Sequence, residues 1–465
     1  MVNFAGMEFI FYFFPVFLLI YHLIPIKYKD VVLLLGSYLF YASGDLKYVL
    51  LLLLLTLCNY FMGQQIHKLS EGYKMHSWQR TERKKKLAFI ISLDVTVLLV
   101  FKMLAVFVDS SLFPLGLSFY LFKMISFQVD YYRGEIFEKT SFLSVAVYFS
   151  LFPQVISGPI MRYNEGTEPQ NRIYCLSQLE DGMKYFAAGL GMKVLLADRL
   201  AILWNDLQMI GYQSISTPLA WLGAAGYSLQ LYFDFWGYSL MASGILVCLG
   251  FDFIENFHHP YASGSIGEFY RRWHMTLGRF FRDYVYIPLG GNRRGKLRKN
   301  INLMLTFLVS GLWHGNGIHY IVWGGWHGIL RVLCHSKQST NKQHARIWNI
   351  VNSMFTFLGV MFGFVFFRAS SLEISFIYIK RMFSNLSFSL SDIIESILPF
   401  TMDYTCVAYF IVICFFIIVL GIKEFMEAPK NEKRVVFGKK WTFFCAVSII
   451  LFGMFGGKSF VYAQF

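Results

Sequence analysis

The sequence predicts an all-α, polytopic membrane protein whose residues 1–465 form one domain. Of its 465 residues, 56% are hydrophobic and only 15% are charged, whereas soluble domains are about 25% charged. Several charge-free runs are long enough to cross a bilayer as helices, which takes about 20 residues per crossing. No long polar linker divides these runs, so we expect a single helical domain.

The first part of the chain is predicted to cross the membrane repeatedly around one basic segment. Its apolar runs cover residues 9–26, 31–43, 48–66 and 87–108. Residues 67–86 are rich in Lys and Arg, and the positive-inside rule places such a loop in the cytoplasm, with the N-terminus outside. The first run has no positive charge before it and no small-residue cleavage site after it, which indicates an uncleaved helix.

The middle of the chain combines broken and continuous apolar segments. Residues 114–129 and 145–156 are apolar, but Pro153, Gly158 and Pro159 interrupt this region. Such breaks occur at membrane depth only where protein or a water-filled cavity covers the backbone. Longer crossings are predicted from the apolar runs at residues 182–196, 207–233 and 217–249, and a basic, amphipathic, cytoplasmic block from residues 251–299.

The C-terminal part is predicted to alternate in the same way. Its crossings are expected at residues 347–367, 404–422 and 441–457. A mixed loop that contains Glu373 and Asp392 is placed outside, and the basic residues 423–440 are placed inside.

The most informative stretch is residues 300–330, which contain three histidines but no Asp, Glu, Lys or Arg. Basic segments flank this stretch on both sides, so both of its ends are placed in the cytoplasm. The 31 residues are too few for two crossings of about 20 each. We therefore predict a re-entrant helical hairpin with His314 near its tip, on the order of 20 Å deep at about 1.5 Å per residue.

His314 is the leading candidate for catalysis. An ionisable side chain at bilayer depth is costly and marks a functional site by default, and histidine transfers protons near neutral pH. In a thioester transfer, a neutral imidazole can accept the proton of the attacking hydroxyl. The alternative is a hydrogen-bonded histidine that only packs between helices. His327 repeats the Trp-His-Gly tripeptide of residues 313–315 and is interpreted as a supporting or packing group.

The spacing of the histidines and cysteines predicts no metal site. His319 follows His314 by five residues, and the chain has no His-Glu-x-x-His pattern. The seven cysteines are scattered and form no Cys-x-x-Cys pair, which indicates neither a disulfide framework nor a thiolate site.

The charged residues have two possible roles each. Arg271, Arg272 and Arg282 could bind the phosphates of a donor bidentately, or they could anchor an interfacial helix together with Trp273. Asp234 follows a long apolar run and could orient a histidine or pair with an arginine. The net charge of +14 lies mostly in loops, so membrane orientation and anionic lipid headgroups explain it and no nucleic-acid partner is expected.

Several motifs follow one another in the order and spacing of the membrane-bound O-acyltransferase family, and the chain resembles its bacterial alginate O-acetylase branch, which includes peptidoglycan O-acetyltransferase membrane subunits. The motifs are Phe269-Tyr270-Arg271-Arg272-Trp273-His274, Phe281-Arg282-Asp283-Tyr284, Ile287-Pro288-Leu289-Gly290-Gly291-Asn292-Arg293 and Ser310-Gly311-Leu312-Trp313-His314-Gly315. The chain departs from the branch at Trp236, Leu240 and His258, where Ser, Asp and Asn are usual.

The resemblance implies a funnel built from a ring of about ten to eleven transmembrane helices with re-entrant and interfacial helices. It implies that His314 is catalytic, that His274 is an auxiliary histidine, and that acyl transfer runs from a cytoplasmic donor towards an acceptor outside. The expected donor-binding residues are Arg271, Arg272, Trp273 and Arg282, and the expected supporting residues are Asp234, Trp313 and His327.

We accordingly expect an acetyltransferase of the bacterial cytoplasmic membrane. The donor would be acetyl-CoA or an acyl carrier protein, with no bound cofactor. The acceptor would be an envelope polysaccharide, reached through a secreted or membrane-tethered acetyltransferase partner. The alternatives are a transporter or channel for a polar solute, although the chain lacks the internal repeats typical of transporters, and a scaffold, which leaves the charge-free histidine segment unexplained.

Overall fold

The computed structural model describes residues 3–69, 76–166, 172–333, 342–385, 442 and 446–449, and all regular structure in these ranges is helical, as predicted. Five helices in this part are long and apolar enough to cross a membrane, and a shorter apolar helix covers Phe9–Leu23. The expected total of about ten to eleven crossings stays a prediction. The predicted crossing at 404–422 and most of that at 441–457 lie outside the described residues.

The N-terminal helices follow the predicted runs. They are α1 (Phe14–Leu23, preceded by a π turn, Phe9–Phe13), α2 (Lys29–Asp45), α3 (Val49–Lys68) and α4 (Ser77–Phe107). The prediction that residues 67–86 form a loop was wrong for their second half, because α4 begins at Ser77. The Lys, Arg, Gln and Glu residues there are good helix formers, and Gln79 accepts a hydrogen bond from the backbone N–H of His76 at 2.7 Å.

The next segment contains the predicted break. Helix α5 (Leu117–Arg133) is continuous, whereas α6 (Phe142–Ser150) and α7 (Phe152–Val155) are separated at Leu151. Gly116, at φ 68°, starts α5 and lies against α7. A Cβ at this position would be 2.0 Å from the carbonyl oxygen of Val155. The broken backbone is therefore covered by α5, as a non-helical backbone at membrane depth requires.

A helix interrupted by a π turn precedes the long helix α10. Helices α8 (Leu176–Gly191) and α9 (Asp198–Ile210) are joined by a π turn (Met192–Ala197), and α10 covers Thr217–Cys248. The run 207–233 is therefore not one helix, which corrects the sequence interpretation. Gly211 at φ 90° ends α9, and Pro218 in the first turn of α10 suits a helix start.

A helical hairpin is present where the re-entrant hairpin was predicted, and its re-entry into the membrane stays a prediction. The basic block forms α11 (Ile266–Arg272), α12 (Met275–Phe281) and a π turn (Arg282–Tyr286), and the hairpin consists of α13 (Gly295–His314) and α14 (Ile318–Leu333). A Cβ on Gly311 would be 2.4 Å from the carbonyl oxygen of Tyr320, and one on Gly324 would be 2.4 Å from that of Phe307. The two helices therefore pack backbone to backbone through small residues.

Residues 342–385 contain the helices α15 (Lys342–Arg368) and α16 (Leu372–Ser384). Glu373 lies in the first turn of α16, so the mixed external loop predicted around it begins as a helix. The hydroxyl of Ser371 accepts a hydrogen bond from the backbone N–H of Ile374 at 3.2 Å, which is a favourable helix start. Asp392 lies outside the described residues.

The topology itself is open to a direct test. We expect single cysteines at positions 84 and 294 to resist a membrane-impermeant thiol reagent in intact cells and a cysteine at position 392 to react, because positive loops stay in the cytoplasm. Labelling is compared with that of the unaltered chain and repeated after permeabilisation, when all three positions should react. Labelling of position 84 or 294 in intact cells would contradict the predicted orientation, because it would place that position outside the cell.

Candidate active site

His314 is the last residue of α13 and lies at the tip of the hairpin. Its side chain is buried, at 2% exposure. Three aromatic rings surround the imidazole, with centroid distances of 4.5 Å to Trp313, 4.9 Å to Trp323 and 5.3 Å to Phe367. The predicted catalytic histidine therefore lies in a buried aromatic enclosure, where a fixed dipole or charge acts far more strongly than in bulk water.

Two glycines allow the chain to turn directly after His314. A Cβ on Gly315 would lie 2.1 Å from the ring of Tyr320, and one on Gly317 would lie 2.1 Å from the ring of His319. No larger residue fits either position without moving an aromatic ring. α13 thus ends at the catalytic candidate, three residues (Gly-Asn-Gly) form the turn, and α14 starts at Ile318.

Lys102 holds the end of α13 from outside the hairpin. This buried side chain of α4 donates hydrogen bonds to the carbonyl oxygens of Leu312, at 3.2 Å, and Trp313. The last carbonyls of a helix have no partner within the helix, and a cation there is stabilised by the helix dipole. Lys102 therefore fixes the backbone next to His314.

The sequence analysis missed Lys102, although one signal for it was present. Lys102 and Asp94 are ionisable residues inside a predicted membrane crossing, and such residues are functional candidates by default. Asp94 is also buried and accepts a hydrogen bond from the side-chain amide of Asn59 at 3.0 Å.

His274 lies between α11 and α12 in a left-handed conformation, with φ 43° and ψ 54°. Its Nδ1 is 3.1 Å from the side-chain oxygen of Asn256, which also accepts hydrogen bonds from the N–H and hydroxyl of Thr276. Since that oxygen is an acceptor, Nδ1 carries the proton and Nε2 is the accepting nitrogen. Burial lowers the pKa of His274 to about 3, so its imidazole is neutral. His274 is close enough to interact electrostatically with His314.

Two roles of His274 can be distinguished by mutation: a role of its imidazole in acyl transfer, and a role of the residue in the left-handed backbone conformation. Asn tolerates the left-handed region, whereas Ala in this conformation destabilises the folded protein by about 1–2 kcal/mol. We expect His274→Asn to keep the melting temperature near that of the natural chain while acyl transfer falls, because the imidazole is gone. His274→Ala should lose both stability and activity. Full activity in His274→Asn would show that this residue is needed only for the left-handed backbone conformation and that its imidazole takes no part in acyl transfer.

The two tryptophans of the motifs are packing residues in the structure. Trp313 lies against Phe122, at 5.1 Å between ring centroids, and Phe119, at 5.9 Å. Trp273 stacks on Phe269 at 5.4 Å and is 5% exposed. Trp313 thus packs beside the ring of His314, and its supporting role stays a prediction. A donor-binding role for Trp273 stays a prediction.

The three predicted donor-binding arginines lie at the surface or half-buried, in different environments. Arg272 pairs with Glu268 at 2.7 Å, and Arg282 binds both carboxylate oxygens of Asp283 at 2.7 and 3.0 Å. The side chain of Arg162 also pairs with Asp283. Arg271 is exposed and forms no ion pair with an acid in the described ranges. Arg272 and Arg282 therefore already have acidic partners within the protein, and Arg282 shares Asp283 with Arg162.

His327 and Asp234 have different surroundings, and His327, like His274, is close enough to interact electrostatically with His314. His327 is fully buried, 5.1 Å from Trp323 between ring centroids, and a Cβ on Gly363 would lie 2.2 Å from its Nε2. Asp234 pairs with Lys193 of the π turn at 2.8 Å, and Lys193 also binds Asp198 at 2.8 Å. The sequence analysis proposed a histidine or an arginine as the partner of Asp234 and missed Lys193, because a π turn cannot be read from an α-helical period.

Across the described ranges, no group of three His, Cys, Asp or Glu residues is arranged to hold a metal ion. The groups that the described residues bring together at the site are the imidazoles, the aromatic enclosure and the lysine that caps α13. Together these features define a polytopic membrane enzyme whose candidate catalytic histidine is carried into the protein by a helical hairpin.

The model of the membrane-bound O-acyltransferase family matches residues 33–379. The chain belongs to this family and is an O-acyltransferase, and the interpretation as a transporter or channel is set aside. The matched region contains the hairpin, both motif histidines and Lys102.

The names of three relatives refer to alginate, peptidoglycan and teichoic acid. The chain is 38% identical over 432 residues to the probable alginate O-acetylase of Pseudomonas fluorescens, with 92% of this chain and 84% of the relative covered. It is 32% identical over 421 residues to the peptidoglycan O-acetyltransferase of Helicobacter pylori, covering 80% and 78%. It is 29% identical over 270 residues to the teichoic acid D-alanyltransferase of Bacillus subtilis, covering 54% and 68%.

Proposed function

We propose that the protein transfers acetyl groups from a cytoplasmic thioester donor towards hydroxyl groups of an extracytoplasmic envelope polysaccharide, in the cytoplasmic membrane of a bacterium. The names of the two O-acetylating relatives support the acetyl group and the polysaccharide. The D-alanyltransferase is less similar and is matched over a smaller share of the chain, so acetyl is the acyl group we favour.

The observation that carries this proposal is the position of His314 at the tip of a hairpin whose other end is strongly basic. The basic residues around the start of α13 favour the cytoplasmic side, and α13 carries His314 about 20 residues from that end. At about 1.5 Å per residue, this helix spans on the order of 30 Å. A thioester that enters from the cytoplasm and a hydroxyl that enters from the opposite side could therefore meet at His314.

The proposed reaction uses His314 as the general base. The acceptor oxygen attacks the carbonyl carbon of the thioester while its proton passes to an imidazole nitrogen of His314. The tetrahedral intermediate collapses, the carbon–sulfur bond breaks, and the proton is delivered to the leaving thiolate, which yields an ester and a thiol. General acid–base catalysis of this kind contributes typically about 10²- to 10⁴-fold. His274 and its Asn256 partner serve as an auxiliary polar group beside the reacting atoms.

The donor is acetyl-CoA or an acetylated acyl carrier protein, both of which present a thioester on a phosphate-bearing pantetheine arm. We propose that the acetyl group then passes to a secreted or membrane-tethered acetyltransferase partner, which completes the modification of the polysaccharide. A gene for a secreted acetyltransferase next to the gene of this protein would support the relay.

An acetyl-labelling experiment tests the proposal. Membrane vesicles that contain the protein are supplied with radiolabelled acetyl-CoA, a candidate polysaccharide such as alginate or peptidoglycan, and the product of any neighbouring acetyltransferase gene. We expect base-labile label on the partner or on the polysaccharide, and none in vesicles that lack the protein. Absence of transfer from both acetyl-CoA and an acetylated carrier protein would overturn the proposal.

A further inference from the structure

The two motif histidines are closed off from the surface of the protein. His314 and His274 are buried, with exposed fractions of 2% and 3%. A thioester donor from the cytoplasm can therefore reach them only after part of the protein has moved apart. Close-packed helices resist such a movement, so the segments that separate should be joined by contacts that are easily exchanged for water. One boundary between two chain segments has this property.

The boundary lies between residues 160–166 and α12 with its π turn. At one end, the backbone N–H of Ile160 donates a hydrogen bond to the hydroxyl of Thr276 at 3.1 Å. That hydroxyl donates to the side-chain oxygen of Asn256 at 2.9 Å, which is also the partner of the auxiliary histidine. At the other end, the π turn leads to the basic start of α13, which we place on the cytoplasmic side. The boundary therefore runs from the active site towards the cytoplasmic face.

Two ion pairs close the cytoplasmic end of this boundary. Arg279 of α12 pairs with Glu165 at 2.6 Å, and Asp283 of the π turn pairs with Arg162. A cavity of about 10 Å³ lies in the boundary, lined among others by Arg162, Arg279 and Thr276, and it has room for about one water molecule. The ion pairs thus cover a boundary that side chains do not fill completely.

The two ion pairs can separate without leaving a buried charge alone. Asp283 is buried, and it keeps two hydrogen bonds from Arg282, at 2.7 and 3.0 Å. Glu165 keeps a hydrogen bond from the backbone N–H of Arg162 at 2.9 Å. The side chain of Arg279 is 38% exposed and can be hydrated. Breaking an ion pair is costly chiefly when it isolates a buried charge, and partly exposed pairs contribute little to stability.

We propose that the ion pairs Arg162–Asp283 and Glu165–Arg279 form a gate that controls the entry of the thioester donor from the cytoplasm to His314. This inference rests on the proposed function and adds the regulation of its site. Both pairs are formed in the closed state. In the open state, residues 161–166 separate from α12 and its π turn, and the hydrogen bond between residues 160 and 276 is the hinge. Gating movements of this kind admit substrates to buried sites in many enzymes.

The rate at which a thiol reagent reaches the cavity tests the gate independently of acyl transfer. Ser126 lines the cavity and is 1% exposed, so Ser126→Cys places a reporter there. Its modification is measured in the purified full chain and corrected for the natural cysteines with the unaltered protein. We expect Arg162→Gln and Glu165→Gln each to raise this rate by about 2- to 5-fold, as the loss of a partly exposed ion pair allows. Raised ionic strength should act in the same direction, because salt screens such pairs.

A matched control removes a different ion pair from the same background. Glu82→Gln breaks the pair between Glu82 and Lys85, 2.9 Å apart on α4, and should leave the modification rate unchanged. The melting temperatures of all variants are compared as well. A rate that rises only in proportion to a loss of stability counts against the gate.

Locking the boundary tests its role in the reaction. Glu165→Cys and Arg279→Cys are combined and joined by a short bis-maleimide cross-linker that contains a reducible disulfide. We expect cross-linking to lower acetyl transfer on the order of 10-fold or more, because donor entry is blocked, and reduction of the linker to restore it. Each single-cysteine variant, treated in the same way, should keep its rate of transfer.

The inference is overturned if Arg162→Gln and Glu165→Gln leave the modification rate at position 126 unchanged. It is also overturned if the cross-linked protein transfers acetyl groups at the rate of the reduced protein. Both results leave acetyl transfer itself intact. Absence of transfer by the natural chain from every thioester would instead refute the proposed function, whereas the reactivity at position 126 would still show whether the boundary opens.

Discussion

His314→Gln is expected to reduce acyl transfer by about 10²- to 10⁴-fold while the protein stays inserted and monodisperse. Glutamine keeps much of the shape and polarity of histidine, so the aromatic enclosure of Trp313, Trp323 and Phe367 remains filled. It cannot accept a proton near neutral pH, and the base is lost. The rate of labelled acetyl transfer and the size-exclusion profile of the same preparation check both parts of this expectation.

His319→Gln provides the matched control for this variant. His319 lies in the same hairpin, five residues after His314, and packs beside Tyr320 at 4.3 Å between ring centroids. We expect the His319→Gln protein to transfer acetyl groups at nearly the natural rate. Near-normal transfer by a well-folded His314→Gln protein would contradict the catalytic role and support the alternative, in which His314 only packs between helices.

Lys102→Met is the second change with a large expected effect, because it removes the ammonium that caps α13 beside His314. The carbonyls of Leu312 and Trp313 would be left without this donor, and a buried acceptor without a partner costs about 1–3 kcal/mol. The tip of the hairpin should relax and His314 should lose its alignment. We expect kcat to fall on the order of 10- to 100-fold, since small misplacements of catalytic groups are costly.

The pattern of the kinetic constants distinguishes this positioning role from general destabilisation. The donor KM should stay near its natural value in Lys102→Met, because the basic residues expected to bind the donor lie away from the tip of the hairpin. Lys102→Arg keeps a cationic donor and should restore part of kcat. Lys84→Met, the same change at an exposed position of α4, should have no effect. Equal losses in Lys102→Met and Lys102→Arg, or a raised KM alone, would contradict the positioning role.

The hairpin was predictable from the sequence because two local signals agreed. The absence of charge from residue 300 to residue 330 placed the segment in the membrane, and its length excluded two full crossings. The glycines at 315 and 317 mark the turn. The sequence also indicated that α7 would be broken from α6, because Pro153 and the Gly158-Pro159 pair interrupt the apolar pattern.

The contacts that complete the site were not predictable because they join distant parts of the chain. Lys102 donates a hydrogen bond to a carbonyl 211 residues away along the chain. The local pattern of apolar residues cannot predict such a contact. Lys193 approaches Asp234 only because a π turn shifts the register of its helix. Arg331 was recognised as basic, yet its position against Gly267 depends on how α14 packs on α11.

The central claim is that His314 catalyses transfer of an acetyl group from one side of the membrane towards the other. Its most direct test is a time course in sealed, oriented proteoliposomes, with radiolabelled acetyl-CoA only at the cytoplasmic face and the acceptor only at the opposite face. The claim predicts acetylated acceptor with the natural chain and a rate lower by about 10²-fold or more with His314→Gln. Acetylated acceptor at equal rates in both preparations, or acetylation only when donor and acceptor share one compartment, would contradict it.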